Sequence, residues 1–267
     1  MKYIRFKDAQ HPDGCLGQIE GRAVTVLKGS FFDGSLQPTG ESVPLDSIRN
    51  FLPPVYPPNI ICIGANYVDH CKECGGEPPK NPLVFIKTTN SVIAYGERIV
   101  LPRNNPDQVD YEAELAIVIG KTASYVPIEK AMDYVLGVTC ANDISARDVQ
   151  LKIDSQWARG KSYDTFCPLG PFLVTGIKNL EDLHIKLRLN GVIMQNQPVS
   201  DMIFSISRII AHLSAGLTLL PGTVILTGTP CGVGMAQNPP RFLCDGDVVE
   251  VEIDQVGVLR NTVTTHS

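Results

Sequence analysis

The segment Asp110-Tyr111-Glu112-Ala113-Glu114-Leu115-Ala116-Ile117-Val118-Ile119 places two carboxylates at the start of an apolar run. The run predicts a buried strand. Because successive strand residues point to opposite faces, Glu112 and Glu114 point the same way, with α-carbons about 6.6 Å apart. Ala116 and Val118 share that face, which indicates burial. Two buried carboxylates are costly without a partner, and at this spacing they can converge on one cation.

A third carboxylate ends another apolar segment, Val138-Thr139-Cys140-Ala141-Asn142-Asp143. Asp143 can therefore supply an oxygen ligand from a distant part of the chain. Carboxylate ligands without a matching set of histidines and cysteines favour Mg²⁺ or Mn²⁺ over Zn²⁺. Each motif alone also has a structural interpretation, since Glu-x-Glu occurs on exposed edge strands and aspartate at helix N-caps. Only the three carboxylates together predict a metal site.

The segment Gly64-Ala65-Asn66-Tyr67-Val68-Asp69-His70-Cys71-Lys72-Glu73 contains a candidate acid-base pair. If it is helical, His70 and Glu73 lie three residues apart on one face and can touch. A carboxylate beside an imidazole orients the ring and makes it a better base. The alternative is a surface pair without a role. Cys71 and Cys74 form a single Cys-x-x-Cys pair, for which we expect neither zinc nor dithiol chemistry because no second pair accompanies it.

Two polar loops are further candidates. Lys161, in Arg159-Gly160-Lys161-Ser162, lacks the upstream glycine spacing of a nucleotide-binding loop. It is either a solvated surface residue or a fixed ammonium that faces a substrate carboxylate or a developing oxyanion. The segment Thr227-Gly228-Thr229-Pro230-Cys231-Gly232-Val233-Gly234 alone indicates only a glycine-rich turn.

Strand patterns dominate the remaining sequence, so we predict a β-rich α+β fold. The Asn190-Gly191 dipeptide predicts a tight hairpin. Isoleucine and leucine at helical spacing predict a helix over 203–215, and a shorter helix is expected over 128–134. The proline-rich stretch 52–58 marks a stiff connection, which predicts a small N-terminal domain (1–53) before a main domain (54–267). Predicted strands cover 23–27, 60–63, 83–86, 111–119, 185–189, 192–194, 248–253 and 258–263.

Charge and composition limit the expected partners. The net charge of −5 over 267 residues does not favour nucleic acid or an anionic membrane surface, since both select basic patches. No apolar stretch approaches the ~18 residues of a membrane span, and the N-terminus lacks the apolar segment of a signal peptide. We therefore expect a cytoplasmic protein with a small-molecule partner, whose eight cysteines remain reduced.

Taken in order along the chain, these segments resemble the fumarylacetoacetate hydrolase superfamily from about residue 58 to residue 263, and within it the branch of bacterial 2-hydroxyhepta-2,4-diene-1,7-dioate isomerases and acylpyruvases. Each segment is weakly specific alone, but their common order is specific. The similar segments are Gly64-x-Asn66-Tyr67-x-x-His70-x-x-Glu73, Pro82-x-x-Phe85-x-Lys87, Asp110-Tyr111-Glu112-x-Glu114-Leu115, Asn142-Asp143-x-Ser145-Ala146-Arg147-Asp148-x-Gln150, Gly160-Lys161-x-x-Asp164-Thr165, Leu169-Gly170-Pro171, Thr227-Gly228-Thr229-Pro230 and Gly246-Asp247.

The resemblance implies a fold, an assembly and a set of site residues. The fold is a mixed β-sandwich roll with a small N-terminal domain, usually in a homodimer. The implied ligands of Mg²⁺, or alternatively Mn²⁺ or Ca²⁺, are Glu112, Glu114 and Asp143. The implied catalytic residues are His70, Glu73 and Lys161, and the implied substrate-binding residues are Arg147, Gln150, Lys161 and Thr229.

The resemblance also implies a reaction class. We expect an enzyme that cleaves carbon-carbon bonds of small 2-oxo acids by stabilising a metal-bound enolate, with acylpyruvate hydrolysis first because His70 and Glu73 can activate water. The alternatives are a 2-hydroxyhepta-2,4-diene-1,7-dioate isomerase or decarboxylase of aromatic catabolism, and an oxaloacetate decarboxylase. A hypothesis of another class is a non-catalytic metal- or metabolite-binding protein.

Overall fold

The computed structural model describes residues 1–104 and 107–266, and strands make up most of the regular structure. The strands are β1 Lys2–Lys7, β2 Cys15–Glu20, β3 Ala23–Lys28, β4 Gln37–Pro44, β5 Asn50–Leu52, β6 Ile60–Gly64, β7 Leu83–Lys87, β8 Val92–Ile93, β9 Arg98–Leu101, β10 Val109–Asp110, β11 Ala113–Ile119, β12 Val135–Asn142, β13 Ser145–Ala146, β14 Cys167–Val174, β15 His184–Leu189, β16 Val192–Pro198, β17 Val224–Leu226, β18 Val248–Ile253 and β19 Gly257–Thr265.

The largest sheet contains the two apolar segments that end in acidic residues. Its main path runs β4-β3-β2-β1-β14-β12-β11-β17-β6-β7, so β11 and β12 are antiparallel neighbours in its interior. Every residue of β11 is buried, which explains its nearly continuous apolar sequence, since a strand covered on both faces needs no polar alternation. The site residues therefore start from a rigid part of the fold.

A second sheet covers one face of this region. Its strands are ordered β16-β15-β18-β19-β9, and its inward residues form one hydrophobic cluster with those of β11. That cluster includes Leu115 and Ile117 from the first sheet and Leu187, Val251 and Leu259 from the second. The predicted β-rich sandwich with mixed sheets is confirmed by this arrangement.

The N-terminal residues form a small antiparallel unit. Strands β1 to β4 pair in sequence, and β5 pairs with β1. The unit has its own apolar cluster, which includes Ile4, Phe6 and Val24. Strand β1 also pairs with β14 and continues the large sheet, so the small N-terminal domain is confirmed while its boundary after residue 53 stays a prediction.

Local predictions agree with the structure at the hairpin and differ from it at the two predicted helices. Strands β15 and β16 form the predicted hairpin, and positive φ angles at Asn190 and Gly191 are those of a type I′ turn. The predicted helix 203–215 is α3, Ile206–Ser214, and begins later because Ser205 caps it. Residues Ile128–Tyr134 form a 3₁₀ helix rather than an α-helix.

Two short helices, α1 (Val68–Glu73) and α2 (Ala158–Lys161), connect strands next to the carboxylates. The other short turns are 3₁₀ segments at Leu45–Ser47, Thr89–Ser91, Val199–Asp201 and Gly234–Ala236, and a π-helical segment at Val149–Ile153.

Candidate active site

Three carboxylates meet where β11 begins and β12 ends. Glu114 lies within β11, while Glu112 and Asp143 lie just outside the paired strands. The backbone N–H of Asp143 donates to the carbonyl of Glu112 at 2.9 Å, which holds both residues at one end of the ladder. Oxygen atoms from all three side chains lie within 4.8 Å of one another. The predicted convergence of the three carboxylates is therefore present.

Strand β11 begins at Ala113, two residues later than the strand predicted over 111–119. The N–H of Glu112 donates to the side-chain oxygen of Asn142 at 2.9 Å rather than to a backbone carbonyl of the neighbouring strand β12. Tyr111 and Glu112 therefore lie outside the paired segment. Glu112 is nevertheless 5% exposed, Glu114 1% and Asp143 0%, so the predicted burial of this face is correct.

Cationic side chains surround two of the three carboxylates. Lys161 Nζ donates to Glu112 Oε2 and to Asp143 Oδ2, both at 2.7 Å. Lys87 Nζ donates to Asp143 Oδ1 at 2.6 Å. Arg147 Nη2 lies 2.7 Å from Glu112 Oε1 as an ion pair without the alignment of a hydrogen bond. These contacts pair both Glu112 and Asp143 with buried cations.

Glu112 and Glu114 respond to this environment in opposite ways. Burial opposes ionisation of Glu112, but the charges of Lys161 and Arg147 outweigh burial and lower its pKa well below the ordinary value. Burial, together with the charges of Asp143 and Glu112, raises the pKa of Glu114 well above its ordinary value. In the described part of the chain no cationic side chain forms an ion pair with Glu114, whose Oε2 accepts from the N–H of Gly228 at 2.6 Å. One carboxylate of the three is thus left without a compensating charge.

That uncompensated charge fits a bound cation. The buried cluster contains four carboxylates and three cationic side chains, which are Asp110, Glu112, Glu114, Asp143, Lys87, Arg147 and Lys161. The donor set at the convergence point consists only of carboxylate oxygens, the ligands that hard divalent cations prefer. The residues present therefore suit Mg²⁺ or Mn²⁺.

The predicted acid-base pair forms on helix α1. His70 Nδ1 lies 2.8 Å from Glu73 Oε1, and the other oxygen of Glu73 accepts from the N–H of Gly232 at 2.8 Å. Burial opposes a charged ring, but hydrogen bonds of the ring with Cys74 and Glu73 and the charge of Glu112 raise the pKa of His70 to about 9. The ring therefore carries an extra proton near neutral pH.

Lys161 reaches the carboxylates because α2 lies very close to the chain after β13. A β-carbon on Gly160 would lie 2.8 Å from the backbone nitrogen of Gln150. Only glycine allows this close approach. Burial opposes the charge of Lys161, but Asp143 and Glu112 raise its pKa, so the side chain acts as a fixed ammonium rather than as a base.

Two of the carboxylates and the histidine of the dyad line one cavity of about 160 Å³. Its apolar wall includes Phe85, Leu151 and Trp157. The predicted site residues that line it are His70, Glu112, Glu114, Arg147, Gln150, Lys161 and Thr229. Glu73 and Asp143 do not line the cavity. They form hydrogen bonds with His70 and Lys161 respectively, and these two residues do line it. All the predicted site residues are thus brought together, while their roles in turnover stay predictions.

Several of the predicted substrate contacts already have partners within the protein. The hydroxyl of Thr229 donates to Ala113 O at 3.0 Å and accepts from the amide of Gln195 at 2.7 Å. Arg147 is held by Asp110, and its Nη1 donates to Gln150 at 3.0 Å. The hydroxyl of Thr229 is therefore already paired, whereas Nη2 of Arg147 forms an ion pair with Glu112 but no hydrogen bond.

Sequence reasoning gave no role to Lys87 or Asp110. Lys87 ends strand β7 and was quoted only as part of a motif, although a lysine that closes an apolar strand was a usable signal. Asp110 accepts from the N–H groups of Gly234 and Met235 at 2.7 and 3.0 Å and from Arg147. It therefore ties the strand entrance to the 234–235 turn, a contact that no sequence spacing indicates.

Comparison with known families identifies this arrangement. Residues 59–264 match the family model for the C-terminal domain of fumarylacetoacetate hydrolase, and residues 1–54 match the Rv2993c-like N-terminal model. The chain belongs to the fumarylacetoacetate hydrolase family. This membership confirms the resemblance of the eight segments and agrees with the strand-rich fold.

Family members similar along most of the chain include enzymes of two names. The mitochondrial oxaloacetate tautomerase fahd2 of Xenopus laevis is 48% identical, over 98% of this chain and 90% of its own. The human mitochondrial oxaloacetate tautomerase FAHD2A is 43% identical over 98% and 91%. A crystal structure of 2-hydroxyhepta-2,4-diene-1,7-dioate isomerase from Mycobacterium marinum has a TM-score of 0.88 and 35% identity, covering 100% of this chain and 99% of its own.

Two predictions about the whole molecule can be compared with the structure. All eight cysteines are free thiols, as expected. Among the described residues, no helix combines the length and the apolar character needed to cross a bilayer.

Proposed function

We propose that this protein catalyses keto-enol tautomerisation of a small 2-oxo dicarboxylic acid such as oxaloacetate, with a divalent cation held by Glu112, Glu114 and Asp143. The observation that carries the proposal is one cavity lined by both His70, which pairs with Glu73, and two members of the carboxylate cluster, Glu112 and Glu114. The names of the relatives at 43–48% identity support this substrate. Acylpyruvate hydrolysis, which the sequence favoured first, becomes the second candidate.

The divalent cation would supply a Lewis acid and a template for the carboxylate and keto oxygens of the substrate. Mg²⁺ is the cation we propose, because the donors are carboxylate oxygens alone. The chain itself then has two tasks. It must hold the substrate in an electropositive environment, and it must move one proton.

His70 is the residue that transfers this proton. Glu73 occupies Nδ1, which leaves Nε2 to exchange a proton with a molecule in the cavity. Because the pKa of His70 is raised to about 9, the ring is a proton donor near neutral pH, which suits protonation of the carbon next to the keto group. Conversion of the enol to the keto form needs this protonation together with loss of the enol O–H proton. The ring is neutral once it has donated and can accept that proton, so the proton count of the enzyme is unchanged.

Lys161 contributes charge rather than proton transfer. Its ammonium lies at the cavity wall and is held in place by Glu112 and Asp143. A preorganised positive charge of this kind stabilises an oxygen that becomes more negative as the proton moves.

Hydrolysis of an acylpyruvate remains the second candidate because a carboxylate-oriented imidazole is also suited to activating water. That reaction first requires the neutral ring, which the raised pKa of His70 makes the minor form at neutral pH. Tautomerisation ranks first because the relatives at 43–48% identity carry the name oxaloacetate tautomerase. Oxaloacetate decarboxylation and metal binding without turnover are the remaining alternatives.

An assay with three substrates separates these functions. The Mg²⁺-loaded protein is mixed with the enol form of oxaloacetate, whose ultraviolet absorbance reports ketonisation, and in parallel with an acylpyruvate and with keto-oxaloacetate. We expect faster loss of the enol than in buffer, and no acceleration with a chelator or with His70→Asn. Release of pyruvate from the acylpyruvate, or of CO₂ from oxaloacetate, without enol turnover would replace the proposal by the corresponding alternative.

A homodimer and a cytoplasmic location are part of the proposal. Edge strand β7 exposes Leu83, Val84 and Ile86, which are 41%, 39% and 53% accessible, and an apolar edge of this kind favours a partner. Light scattering of the purified protein should give twice the mass of one chain.

The acidic net charge and eight free thiols fit a reducing compartment, and fluorescence microscopy of a tagged protein tests the location.

A further inference from the structure

Cys74 transfers no proton in the proposed reaction, yet its sulfur lies against the catalytic imidazole. Cys74 Sγ is 3.8 Å from His70 Nδ1 and 4.0 Å from Nε2. Ligand atoms of His70, Glu73 and Cys74 all lie within 4.8 Å of one another. These residues are spaced i, i+3 and i+4 along α1 and its C-cap, so they share one face of the helix.

We infer that His70, Glu73 and Cys74 form a second metal site, specific for Zn²⁺ or another thiophilic divalent cation, whose occupation stops the proposed proton transfer. The site differs from the carboxylate site in donor chemistry. It offers one nitrogen, one sulfur and one oxygen, and a thiolate donor selects Zn²⁺ over Mg²⁺. The single Cys-x-x-Cys pair is not the motif involved, because Cys71 does not belong to the cluster.

The spacing suits tetrahedral zinc. Zinc binds imidazole nitrogen and carboxylate oxygen at about 2.0–2.1 Å and thiolate sulfur at about 2.3 Å, which places nitrogen and sulfur about 3.5 Å apart and nitrogen and oxygen about 3.3 Å apart. The separations in the structure are 3.8 Å from Nδ1 to Sγ and 2.8 Å from Nδ1 to Oε1. Small side-chain rotations close both differences.

Three protein ligands leave a fourth zinc position open. His70 and Cys74 both line the cavity, so that position faces the space that the substrate would fill. Cys74 is exposed, which gives an ion in solution a route to the sulfur.

The inhibitory consequence rests on the proposed function of His70. Zinc on Nε2 would occupy the nitrogen that exchanges the proton, and zinc on Nδ1 would displace the hydrogen bond that this nitrogen forms with Glu73. Either coordination removes the acid-base pair while the carboxylate site keeps its Mg²⁺. Binding itself does not depend on the proposed function.

Binding is tested by adding Co²⁺ to the full-length protein in excess Mg²⁺ and recording the absorption spectrum. We expect a thiolate-to-cobalt charge-transfer band that saturates near one equivalent and that is absent in Cys74→Ser. Cys244→Ser is the matched control, because Cys244 is the other exposed cysteine, and it should retain the band. No band in the wild type, or a band that survives in Cys74→Ser, overturns the site.

Inhibition is tested separately with Zn²⁺ in the enol-oxaloacetate assay at excess Mg²⁺. Since loss of even an outer-shell partner costs 10–100-fold in metal affinity, loss of a ligand in Cys74→Ser should raise the inhibitory Zn²⁺ concentration at least about ten-fold relative to Cys244→Ser. Equal sensitivity of the two variants overturns the inhibitory role. A protein with the cobalt band but no tautomerase activity would refute the proposed function and leave the metal site standing.

Discussion

The carboxylate cluster and the dyad helix border the same cavity but are built differently. Glu112, Glu114 and Asp143 lie where β11 begins and β12 ends, almost without exposure, and ion pairs hold two of them. His70 and Glu73 lie on a helix of six residues, with side chains 12% and 18% exposed. The first region therefore couples charge to folding, whereas the second can change its protonation with little effect on the fold.

The largest expected effect comes from Asp143→Asn, which breaks the carboxylate cluster. The change leaves Lys87 and Lys161 in the interior short of an anion, which costs about 3–5 kcal/mol of unfolding free energy. Loss of a ligand removes a cation worth several kcal/mol to the transition state, so activity should fall about 10³-fold. Urea unfolding and the enol assay measure the two effects.

Glu114→Gln is the matched control for that change. Glu114 forms no ion pair with the described cations, and glutamine can still accept from the N–H of Gly228. Activity and metal binding should be lost, while the metal-free protein keeps its stability. Equal destabilisation by both variants would show that the ion pairs do not distinguish these carboxylates.

The dyad should separate activity from stability. Glu73→Gln weakens the orientation and charge of His70, and general acid-base groups contribute 10²–10⁴-fold. Stability should fall by only about 1 kcal/mol, as for one hydrogen bond, and Mg²⁺ affinity by calorimetry should not change. A parallel loss of Mg²⁺ binding would contradict the division between the two regions.

Metal and pH should act together on the carboxylate cluster. Because the pKa of Glu114 is raised in the folded protein, its contribution to stability is complete below its ordinary value of 4.5 and is lost as the pH rises through the raised pKa. The melting temperature of chelated protein should fall over this range. Mg²⁺ at about 100 times its Kd should add about 2.7 kcal/mol.

Two comparisons check this pH effect. In Glu114→Gln the pH-dependent loss should disappear, because no carboxyl group remains to ionise at that position. A Mg²⁺-independent melting temperature in the wild type at neutral pH would contradict a cation at the cluster.

Disturbing the close approach of Gly160 to Gln150, which positions Lys161, should lower the stability moderately. In Gly160→Ala the new β-carbon would lie 2.8 Å from the backbone of Gln150, and overpacking of this kind costs about 1–3 kcal/mol. Gly216→Ala is the control, because a β-carbon there meets no atom within 4 Å. Thermal unfolding of both variants measures the difference in stability. Equal losses of stability in the two variants would contradict the role of this contact.

The smallest effect is expected on the outer face of the dyad helix. Lys72 and Asp69 form a 3.3 Å ion pair with side chains 68% and 55% exposed. Such pairs contribute about 0–1 kcal/mol, so Lys72→Ala should leave both stability and turnover within error. A marked loss of turnover would show that the outer face takes part in closing the cavity.

The sequence allowed the carboxylate cluster to be predicted because its signals are local. Glu112 and Glu114 lie two residues apart at the start of one apolar segment, and Asp143 ends another. The His70–Glu73 pair was likewise predictable from helical spacing. The hairpin at Asn190 followed from the φ angles that asparagine and glycine adopt.

The remaining features depend on contacts between distant segments. Lys87 and Asp110 take their places only when β7 and the 234–235 turn pack beside the strand entrance. Helix α3 begins later than predicted because the N–H of Phe204 donates to the side chain of Asn66 and Ser205 then caps the helix. The first of these contacts joins distant segments and cannot be predicted from local spacing. The sulfur of Cys74 became relevant only when its distance to His70 was known.

Manganese titration followed by electron paramagnetic resonance tests most directly whether Glu112, Glu114 and Asp143 share one cation that activity requires. We expect the wild type to bind one Mn²⁺ per chain at this site, with enol turnover rising in proportion to occupancy, and Glu114→Gln to stay folded while losing both. Full turnover in the chelated wild type, or wild-type Mn²⁺ binding by Glu114→Gln, would contradict the account.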